Sequence, residues 1–252
     1  MRFTYFIILL NILILSGCQQ EKQHVFKIEG KQIPITDSIE SHAEIAAYIK
    51  PFREKIQQDL DSVLAYAPET YSKNNGDFNT AIGNFMADAV YSEGNPIFFS
   101  RTGKNIDMVL LNYGGIRSAL PKGEISKRSA FNLMPFENSI VVVALKGTEV
   151  NKLINYLSKS KRPHPISKLK LVLDANFNVH EASINGKTID ENKTYYVATN
   201  DYLYNGGDSM SFFQTNEGLY ILDYKIRNAL IDKFIKLDTI KPVIDDRFTQ
   251  IK

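Results

Sequence analysis

The feature that most constrains the fold is a short apolar run followed at once by a glycine-rich polar loop. Residues 195–199 are aromatic and β-branched, a composition that predicts a buried strand. The next nine residues, 200–208, combine the ring of Tyr202, the Gly206-Gly207 pair and the carboxylate of Asp208. Because glycine reaches positive φ and lets the backbone approach a ligand closely, this segment predicts a ligand-binding loop at the end of a strand. A simple turn with a solvated aspartate is the alternative.

Apolar runs elsewhere in the chain predict a mixture of strands and helices. Strongly apolar runs predict buried strands at residues 108–111, 139–146 and 169–173. Helical spacing of apolar residues predicts helices at residues 37–66, 79–93, 148–157 and 222–237. The second of these helices is expected to stop at Gly94-Asn95-Pro96, Asn185-Gly186 predicts a hairpin turn, and the C-terminal tail is expected to hold a last strand. Hairpins mixed with helices favour an α+β fold with a mixed β-sheet over a doubly wound parallel sheet.

The region that precedes this domain is predicted to be largely helical. Residues 25–35 alternate loosely between apolar and polar types, which suggests a strand pair. Asp37 and Glu40 have the spacing of a helix capping box. The helix that follows, residues 37–66, is expected to form an amphipathic extension that is kinked or divided at Pro51.

The first seventeen residues have the form of an export signal. Residues 1–17 contain one positive charge, Arg2, before an apolar run that is too short for a comfortable membrane span. Residues 15–18, Leu-Ser-Gly-Cys, resemble the lipobox of a bacterial lipoprotein, which implies cleavage before Cys18 and lipid attachment to that residue. An ordinary signal peptide with an incidental cysteine is the alternative. Since Cys18 is the single cysteine in the sequence, no intrachain disulfide can form.

These features predict a signal peptide at residues 1–17, a tether and helical extension at 18–70, and a domain at 71–252. Removing Arg2 with the signal leaves 29 Lys and Arg (30 − 1) against 28 Asp and Glu. A nearly neutral chain argues against a nucleic-acid-binding surface, which needs a strong basic excess. Because of the export signal and the lipobox-like residues, the protein is expected in a bacterial cell envelope, held at a membrane by lipid on Cys18.

Four segments, in order along the chain, resemble the C-terminal, substrate-binding domain of the 5′-nucleotidase family. They are residues 83–89, 112–117, 135–138 and 200–208. The resemblance covers about residues 71–252 and implies an α+β domain that holds a nucleotide between two aromatic rings. The first segment is expected to serve helix packing and has no binding role assigned to it.

The resemblance also implies roles for individual side chains. Phe136 and Tyr202 match the rings that stack on the base, and Asp208 matches the carboxylate that holds the ribose hydroxyls. Asn112 and Arg117 match residues at the ribose and phosphate end, where a guanidinium suits a phosphate, and Asn138 matches a base contact. The loop glycines of the site are Gly114, Gly115, Gly206 and Gly207. For Phe136 a core position, and for Arg117 a surface charge, are the alternatives.

The chain also departs from the family pattern. Many members carry an arginine before the Gly-Asn pair, but residues 75–79 contain none, so one contact is missing or comes from elsewhere, with Lys73 as a candidate. Full-length members have an N-terminal metallophosphatase domain that binds two metal ions. The four histidines, His24, His42, His164 and His180, are scattered, and Pro163-His164-Pro165 is expected to be an exposed loop. No catalytic residue, metal ligand or cofactor site is therefore assigned to this chain.

These observations lead to one hypothesis and two alternatives. The chain is expected to be the substrate-binding half of a split 5′-nucleotidase whose two divalent metal ions lie in a separate metallophosphatase subunit. The first alternative is a stand-alone lipoprotein that binds a nucleotide or nucleoside without catalysis. The second is a structural envelope protein whose pocket has decayed, which the intact rings, Arg117 and Asp208 disfavour. Whether the isolated chain is an enzyme stays open.

Overall fold

A computed structural model describes residues 25–251, and the outline of the fold is an α+β arrangement, as predicted. The helices of this part of the chain are α1 (Ala43–Leu60), α2 (Ala81–Thr102), α3 (Lys127–Leu133), α4 (Gly147–Ser160), the single turn α5 (Asp201–Tyr204) and α6 (Ile226–Ile235). Its strands are β1 (Val63–Ala67), β2 (Met108–Leu110), β3 (Gly123–Ser126), β4 (Ser139–Lys146), β5 (Ile166–Ser167), β6 (Leu169–Leu173), β7 (Val179–Ile184), β8 (Lys187–Thr188), β9 (Thr194–Asn200), β10 (Gly218–Lys225) and β11 (Phe248–Gln250). The chain divides into two compact units, up to Ile49 and from Lys50.

The main sheet of the second unit has the strand order β10-β4-β9-β2-β5. Strands β2 and β9 run parallel, whereas the other neighbours are antiparallel. The interior strand β4 is buried from Ile140 to Leu145, because both of its faces are covered. Ile140 and Val142 pack with apolar residues of α2 and α6, while Val141 and Val143 pack with those of α4. An interior strand covered on both faces needs the continuous apolar run that the sequence contains.

Smaller sheets extend this framework on both sides. Strands β1 and β3 form an antiparallel pair, and β11-β6-β7-β8 form a second, four-stranded sheet. The hairpin between β7 and β8 turns at Asn185 and Gly186, whose φ angles of 51° and 71° are those of the predicted Asn-Gly turn. The last strand of the tail, β11, is also confirmed, and it pairs in parallel with β6.

The predicted N-terminal helix is present, but its bounds are wrong at both ends. Residues 25–36 form no strand and lie exposed, and the residues from Asp37 to Ile39 form a turn, so the predicted capping box does not begin the helix. Helix α1 starts at Ala43, runs undivided through Pro51 and ends at Leu60. Residues 63–67 form β1 instead of helix, with Ala65 and Ala67 buried in alternation. A short apolar run is compatible with the period of a helix and with that of a strand, and pairing with β3 makes this segment a strand.

Two other helix boundaries also differ from the prediction. Helix α2 continues through Gly94-Asn95-Pro96 to Thr102 and ends at Gly103, whose φ of 69° suits a C-terminal cap. Burial of Gly94 and Phe98 on this helix outweighs the local preference to stop. The C-terminal helix begins at Ile226 instead of residue 222, because Gly218–Lys225 pairs with β4 as β10.

The first of the four resemblance segments lies within α2 and anchors the C-terminal tail. Asn84 Nδ2 donates to the main-chain oxygen of Val243 at 2.9 Å and to Asn79 Oδ1 at 2.9 Å. Asn79 Nδ2 in turn donates to the main-chain oxygen of Phe248, also at 2.9 Å. These contacts give the segment a structural role in packing, as predicted from the sequence.

The predicted signal peptide and Cys18 lie outside the described residues. Within residues 25–251, no helix combines the length and the apolar character that a bilayer span needs.

Candidate functional site

Three of the resemblance segments meet at one edge of the main sheet. Since β2 and β9 are parallel, their carboxyl ends lie together, and Ile140 at the start of the antiparallel β4 pairs with Asn200 at the end of β9. Asn112 follows β2, Asn138 precedes β4, and the loop of residues 200–208 follows β9. The topology therefore gathers residues that are almost a hundred positions apart in the sequence.

These segments enclose a cavity of about 280 Å³, called the first cavity below. Its walls are Asn112, Gly114, Gly115, Arg117, Met134, Phe136, Asn138, Tyr202 and Asp208. All six side chains that were assigned to ligand binding from the sequence line it, together with two of the four loop glycines. Met134 was missed, although it lies one residue before the Pro135-Phe136 segment that pointed to the site.

Asp208 is held by neutral donors on both of its carboxylate oxygens. Asn112 Nδ2 donates to Oδ2 at 2.8 Å, and the Tyr202 hydroxyl donates to Oδ1 at 3.0 Å. The Tyr156 hydroxyl donates to the main-chain oxygen of Asp208 at 2.9 Å. Asp208 forms no ion pair within residues 25–251. Its orientation is thus fixed while its charge stays available to hydroxyl donors of a ligand.

The two positions before Asp208 require glycine for different steric reasons. Gly206 has a φ of 90°, a conformation that side chains other than glycine rarely adopt. A Cβ at Gly207 would lie 2.4–2.6 Å from three ring carbons of Tyr202, well inside carbon contact distance. The missing side chain at Gly207 therefore lets the Tyr202 ring fold back over the loop.

Both aromatic rings of the first cavity are partly open to solvent. Phe136 is 39% exposed and Tyr202 is 47% exposed, so a core position for Phe136 is wrong. The guanidinium carbon of Arg117 lies 5.6 Å from the centre of the Phe136 ring, within the range of a cation–π contact. Arg117 is exposed and lines the cavity, which places a positive charge at the edge of a ring.

Arg227 supports the loop that carries Phe136. This arginine on α6 is 6% exposed, donates from Nη1 to the main-chain oxygen of Phe136 at 3.3 Å and pairs with Glu137. Its hydrogen bond holds the pKa of Glu137 below its usual value. The main-chain N–H of Ile226 also donates to Asn138 O at 3.0 Å. No sequence pattern indicated this support, because Arg227 lies about ninety residues beyond the loop.

Comparisons with known proteins identify the family of this chain. The family model described as the 5′-nucleotidase, C-terminal domain, matches residues 61–215. The chain belongs to this family. Protein UshA of Escherichia coli (strain K12) is 24% identical over 83% of this chain and 38% of its own length. The cell wall protein Lmo0130 of Listeria monocytogenes is 28% identical over 71% of this chain and 25% of its own length.

Solved structures confirm the fold. The 5′-nucleotidase precursor from Thermus thermophilus superposes with a TM-score of 0.68 at 21% identity, over 83% of this chain and 43% of that chain. The chain spans less than half the length of these curated relatives and of others that it matches.

Lys73, the candidate replacement for the arginine that many family members carry, lies near Arg117. Its Nζ donates to the main-chain oxygen of Ile116 at 2.8 Å and lies 4.5 Å from the centre of the Tyr113 ring. Burial, and then the charge of Arg117, lower the pKa of Lys73. Lys73 does not line the first cavity, so its ligand contact stays a prediction.

A second cavity, of about 390 Å³, adjoins the first and shares Gly114 and Asp208 with it. Its other walls are Tyr113, Tyr156, Ser160, Arg162, His164 and Ser209. The prediction that His164 lies in an exposed loop is wrong, since the residue is 4% exposed. A hydrogen bond from Leu111 N to Pro165 O at 2.8 Å draws this segment onto the end of β2. Burial lowers the pKa of His164 to about 4.

The described residues do not fit the two-metal site of full-length family members. Between residues 25 and 251, no group of three or more His, Cys, Asp or Glu side chains is placed to hold a metal ion. A two-metal centre requires several such ligands around ions a few ångströms apart. The side chains that line the first cavity are suited to binding and orienting a ligand.

Proposed function

We propose that this chain is the nucleotide-binding half of a 5′-nucleotidase. The observation that carries the proposal is the first cavity, where two half-exposed rings, an exposed arginine and a fixed carboxylate come together. A nucleotide needs these three kinds of group, for its base, its phosphate and its ribose. Membership of the 5′-nucleotidase C-terminal domain family supports the same substrate class.

In this proposal each part of the nucleotide has a named partner. The base stacks between Phe136 and Tyr202, which is worth ~1–3 kcal/mol per base in other nucleic-acid ligands. The ribose hydroxyls donate to Asp208, whose two oxygens are already oriented by Asn112 and Tyr202. Arg117 holds the phosphate, because a guanidinium keeps its charge and can form two parallel hydrogen bonds to phosphate oxygens.

We further propose that a separately encoded metallophosphatase supplies the two divalent metal ions and completes the enzyme. Family membership supports the proposal, because the matching model is the C-terminal domain of a 5′-nucleotidase, and the first cavity supplies groups that bind a nucleotide. The role of this chain is then to hold the phosphate ester in one orientation. Orienting two reactants is worth up to ~7–11 kcal/mol of a barrier when the geometry is good.

The test of this split arrangement is phosphate release from AMP. The isolated chain with Mn²⁺ should hydrolyse AMP no faster than buffer with the same metal, and mixing with a metallophosphatase encoded beside it should give turnover. Arg117→Ala and Asp208→Ala should abolish that turnover, whereas Lys187→Ala, at an exposed position on β8, should preserve it. Turnover by the isolated chain, free of contaminating phosphatase, would contradict the proposal.

The second candidate function is ligand capture without catalysis. The same cavity supports it, since every group named above serves binding. Calorimetry with adenosine and AMP tests the part that both functions share, and no binding at millimolar concentration would rule out both. Binding without any gain in phosphate release on mixing would favour capture.

We propose that the protein resides in the cell envelope through lipid on Cys18. Similarity to a protein named as a cell wall protein supports the envelope location, and the lipobox-like residues 15–18 support the anchor. Cys18→Ser should release the protein into the soluble fraction or block its processing. Unchanged membrane fractionation together with an unchanged mature mass would refute the anchor.

A further inference from the structure

Tyr156 binds the turn at Asp208 from a different part of the chain. Its hydroxyl donates to the main-chain oxygen of Asp208 at 2.9 Å, although 52 residues separate the two positions. Asn112 also reaches Asp208 from elsewhere in the chain, but it binds the carboxylate, and Tyr202 belongs to the same loop as Asp208. Tyr156 therefore ties the peptide group that follows Asp208 to helix α4.

The turn needs support because its backbone is strained. Asp208 and Ser209 have φ angles of 51° and 61°, in the left-handed region that residues other than glycine disfavour. Such conformations persist where the surrounding structure holds them in place. Since the backbone angles of Asp208 set the direction of its side chain, a hydrogen bond to its own carbonyl helps to decide where the carboxylate points.

The ring of Tyr156 is itself held by aromatic packing. Its centre lies 5.6 Å from that of the His164 ring and 5.7 Å from that of the Phe212 ring, within the range of aromatic contacts. Burial, and then the negative charge of Asp208, raise the pKa of Tyr156, whereas the positive charge of Arg162 opposes this. The hydroxyl therefore stays protonated at neutral pH and remains a donor.

Tyr156 does not line the space that the proposed function assigns to the nucleotide. The walls of the first cavity include Asn112 and Tyr202 but not Tyr156. Removing the side chain of Asn112 or Tyr202 would take away a cavity wall together with a support of Asp208. Removing the Tyr156 hydroxyl changes the support alone.

We propose that Tyr156 is a positioning residue for ribose recognition, whose hydroxyl holds the turn in which the Asp208 carboxylate faces the ribose hydroxyls. The proposal rests on the proposed function, because that function assigns the ribose to Asp208. The preference of this chain for ligands with ribose hydroxyls then depends on a residue of α4 that the ligand does not touch.

Calorimetry with AMP and 2′,3′-dideoxy-AMP measures this preference as the ratio of the two dissociation constants. The two ligands differ in the hydroxyls that Asp208 is proposed to bind. Tyr156→Phe keeps the ring and removes the hydroxyl, so the affinity for AMP should fall about three- to tenfold, as for the loss of one hydrogen bond, while the affinity for the dideoxy compound stays within about twofold. Tyr224→Phe removes a tyrosine hydroxyl that binds Asp232 outside both cavities and should leave both affinities unchanged.

A double variant tests whether Tyr156 acts through Asp208. Asp208→Ala should reduce the preference for AMP on its own, and Tyr156→Phe added to it should reduce the preference no further, because the two residues act as one unit. A second loss of preference in the double variant would overturn the inference. Equal weakening of both ligands in Tyr156→Phe would also overturn it, since Tyr156 would then serve the loop as a whole.

The same measurements separate this inference from the proposed function. A wild-type preference for AMP that survives in Tyr156→Phe would overturn the inference alone. Failure of the wild type to bind either ligand would overturn the proposed function as well, and equal affinity for both ligands would overturn its assignment of the ribose to Asp208. Thermal unfolding of Tyr156→Phe should give a Tm within about 3 °C of the wild type, whereas an unfolded variant would assign Tyr156 to the fold and overturn the inference.

Discussion

Gly207→Ala should weaken nucleotide binding without unfolding the protein. The new Cβ would lie 2.4 Å from Tyr202 Cε1, whereas carbon atoms in contact stay about 3.5–4.0 Å apart, so the ring has to move by roughly 1 Å or more. Tyr202 is 47% exposed and can turn toward solvent. The substitution therefore lowers the affinity for the nucleotide more than the stability of the fold, because the site loses one stacking ring and the Tyr202–Asp208 hydrogen bond.

The size of the effect follows from these two contacts. A stacked ring contributes ~1–3 kcal/mol and a neutral hydrogen bond ~0.5–1.5 kcal/mol, a sum of ~1.5–4.5 kcal/mol, which corresponds to a Kd about 10- to 2,000-fold higher. Calorimetry with AMP measures the affinity, and thermal unfolding should show a Tm within about 3 °C of the wild type.

Gly218→Ala is the matched control, because its Cβ would meet the Tyr220 ring at 3.6 Å, an ordinary contact away from the site. It should leave both affinity and Tm unchanged. An affinity of Gly207→Ala within twofold of the wild type would refute the reasoning about the ring. A large fall in Tm would show that the loop serves the fold instead.

Two further predictions concern buried groups near the site. The pKa of His164 is about 4 in the folded protein against 6.5 for the free side chain, because burial disfavours the imidazolium. The nearby charge of Asp208 and the main chain of Leu111 oppose this shift, and the charge of Arg162 supports it. As the pH falls, the imidazole of the unfolded chain therefore takes up its proton before that of the folded protein does. The free energy of unfolding is unaffected by His164 above about pH 6.5 and decreases by ~3 kcal/mol as the pH falls toward 4. Urea unfolding at pH 7.5 and pH 4.5 should show this loss in the wild type and less of it in His164→Phe; an equal loss in both proteins would contradict it. Arg227→Met should raise the Kd for AMP about 5- to 30-fold, a typical loss of ~1–2 kcal/mol, because the Phe136 loop loses its anchor. Arg101→Met, which removes an exposed arginine bound to Ile221 O, is the control and should bind normally.

Parts of the fold were predictable where local and tertiary requirements coincide. The runs that became β4 and β6 were placed at their observed bounds. In β4 the apolar run is unbroken from Ile140 to Leu145, which fits a strand whose two faces are both covered. Residues 63–67 and the stretch through Gly94-Asn95-Pro96 were placed wrongly for the opposite reason. The apolar pattern of residues 63–67 is compatible with helix or strand, and pairing with β3 makes it a strand. Gly94-Asn95-Pro96 favours the end of a helix, but burial of the residues around it lets α2 continue.

The candidate site shows the same division. Phe136, Tyr202 and Asp208 lie in short segments whose order along the chain carried the family resemblance, and the structure brings them to one cavity. Arg227 and His164 could not be assigned from the sequence, because their positions depend on how α6 and the segment before β5 pack. The prolines flanking His164 indicated a loop, but the hydrogen bonds from Leu111 N to Pro165 O and from Tyr113 N to His164 Nδ1 hold that loop as a buried wall.

Asp208, which lines both cavities, has an unusual backbone conformation. Its φ is 51° and that of Ser209 is 61°, so two consecutive residues other than glycine occupy the left-handed region, which is costly and tends to persist at functional sites. Asn112, Tyr156 and Tyr202 hold this turn through three separate hydrogen bonds. Because these bonds orient the carboxylate that lines the first cavity, a change at Asp208 should weaken the ribose contact of the proposed function.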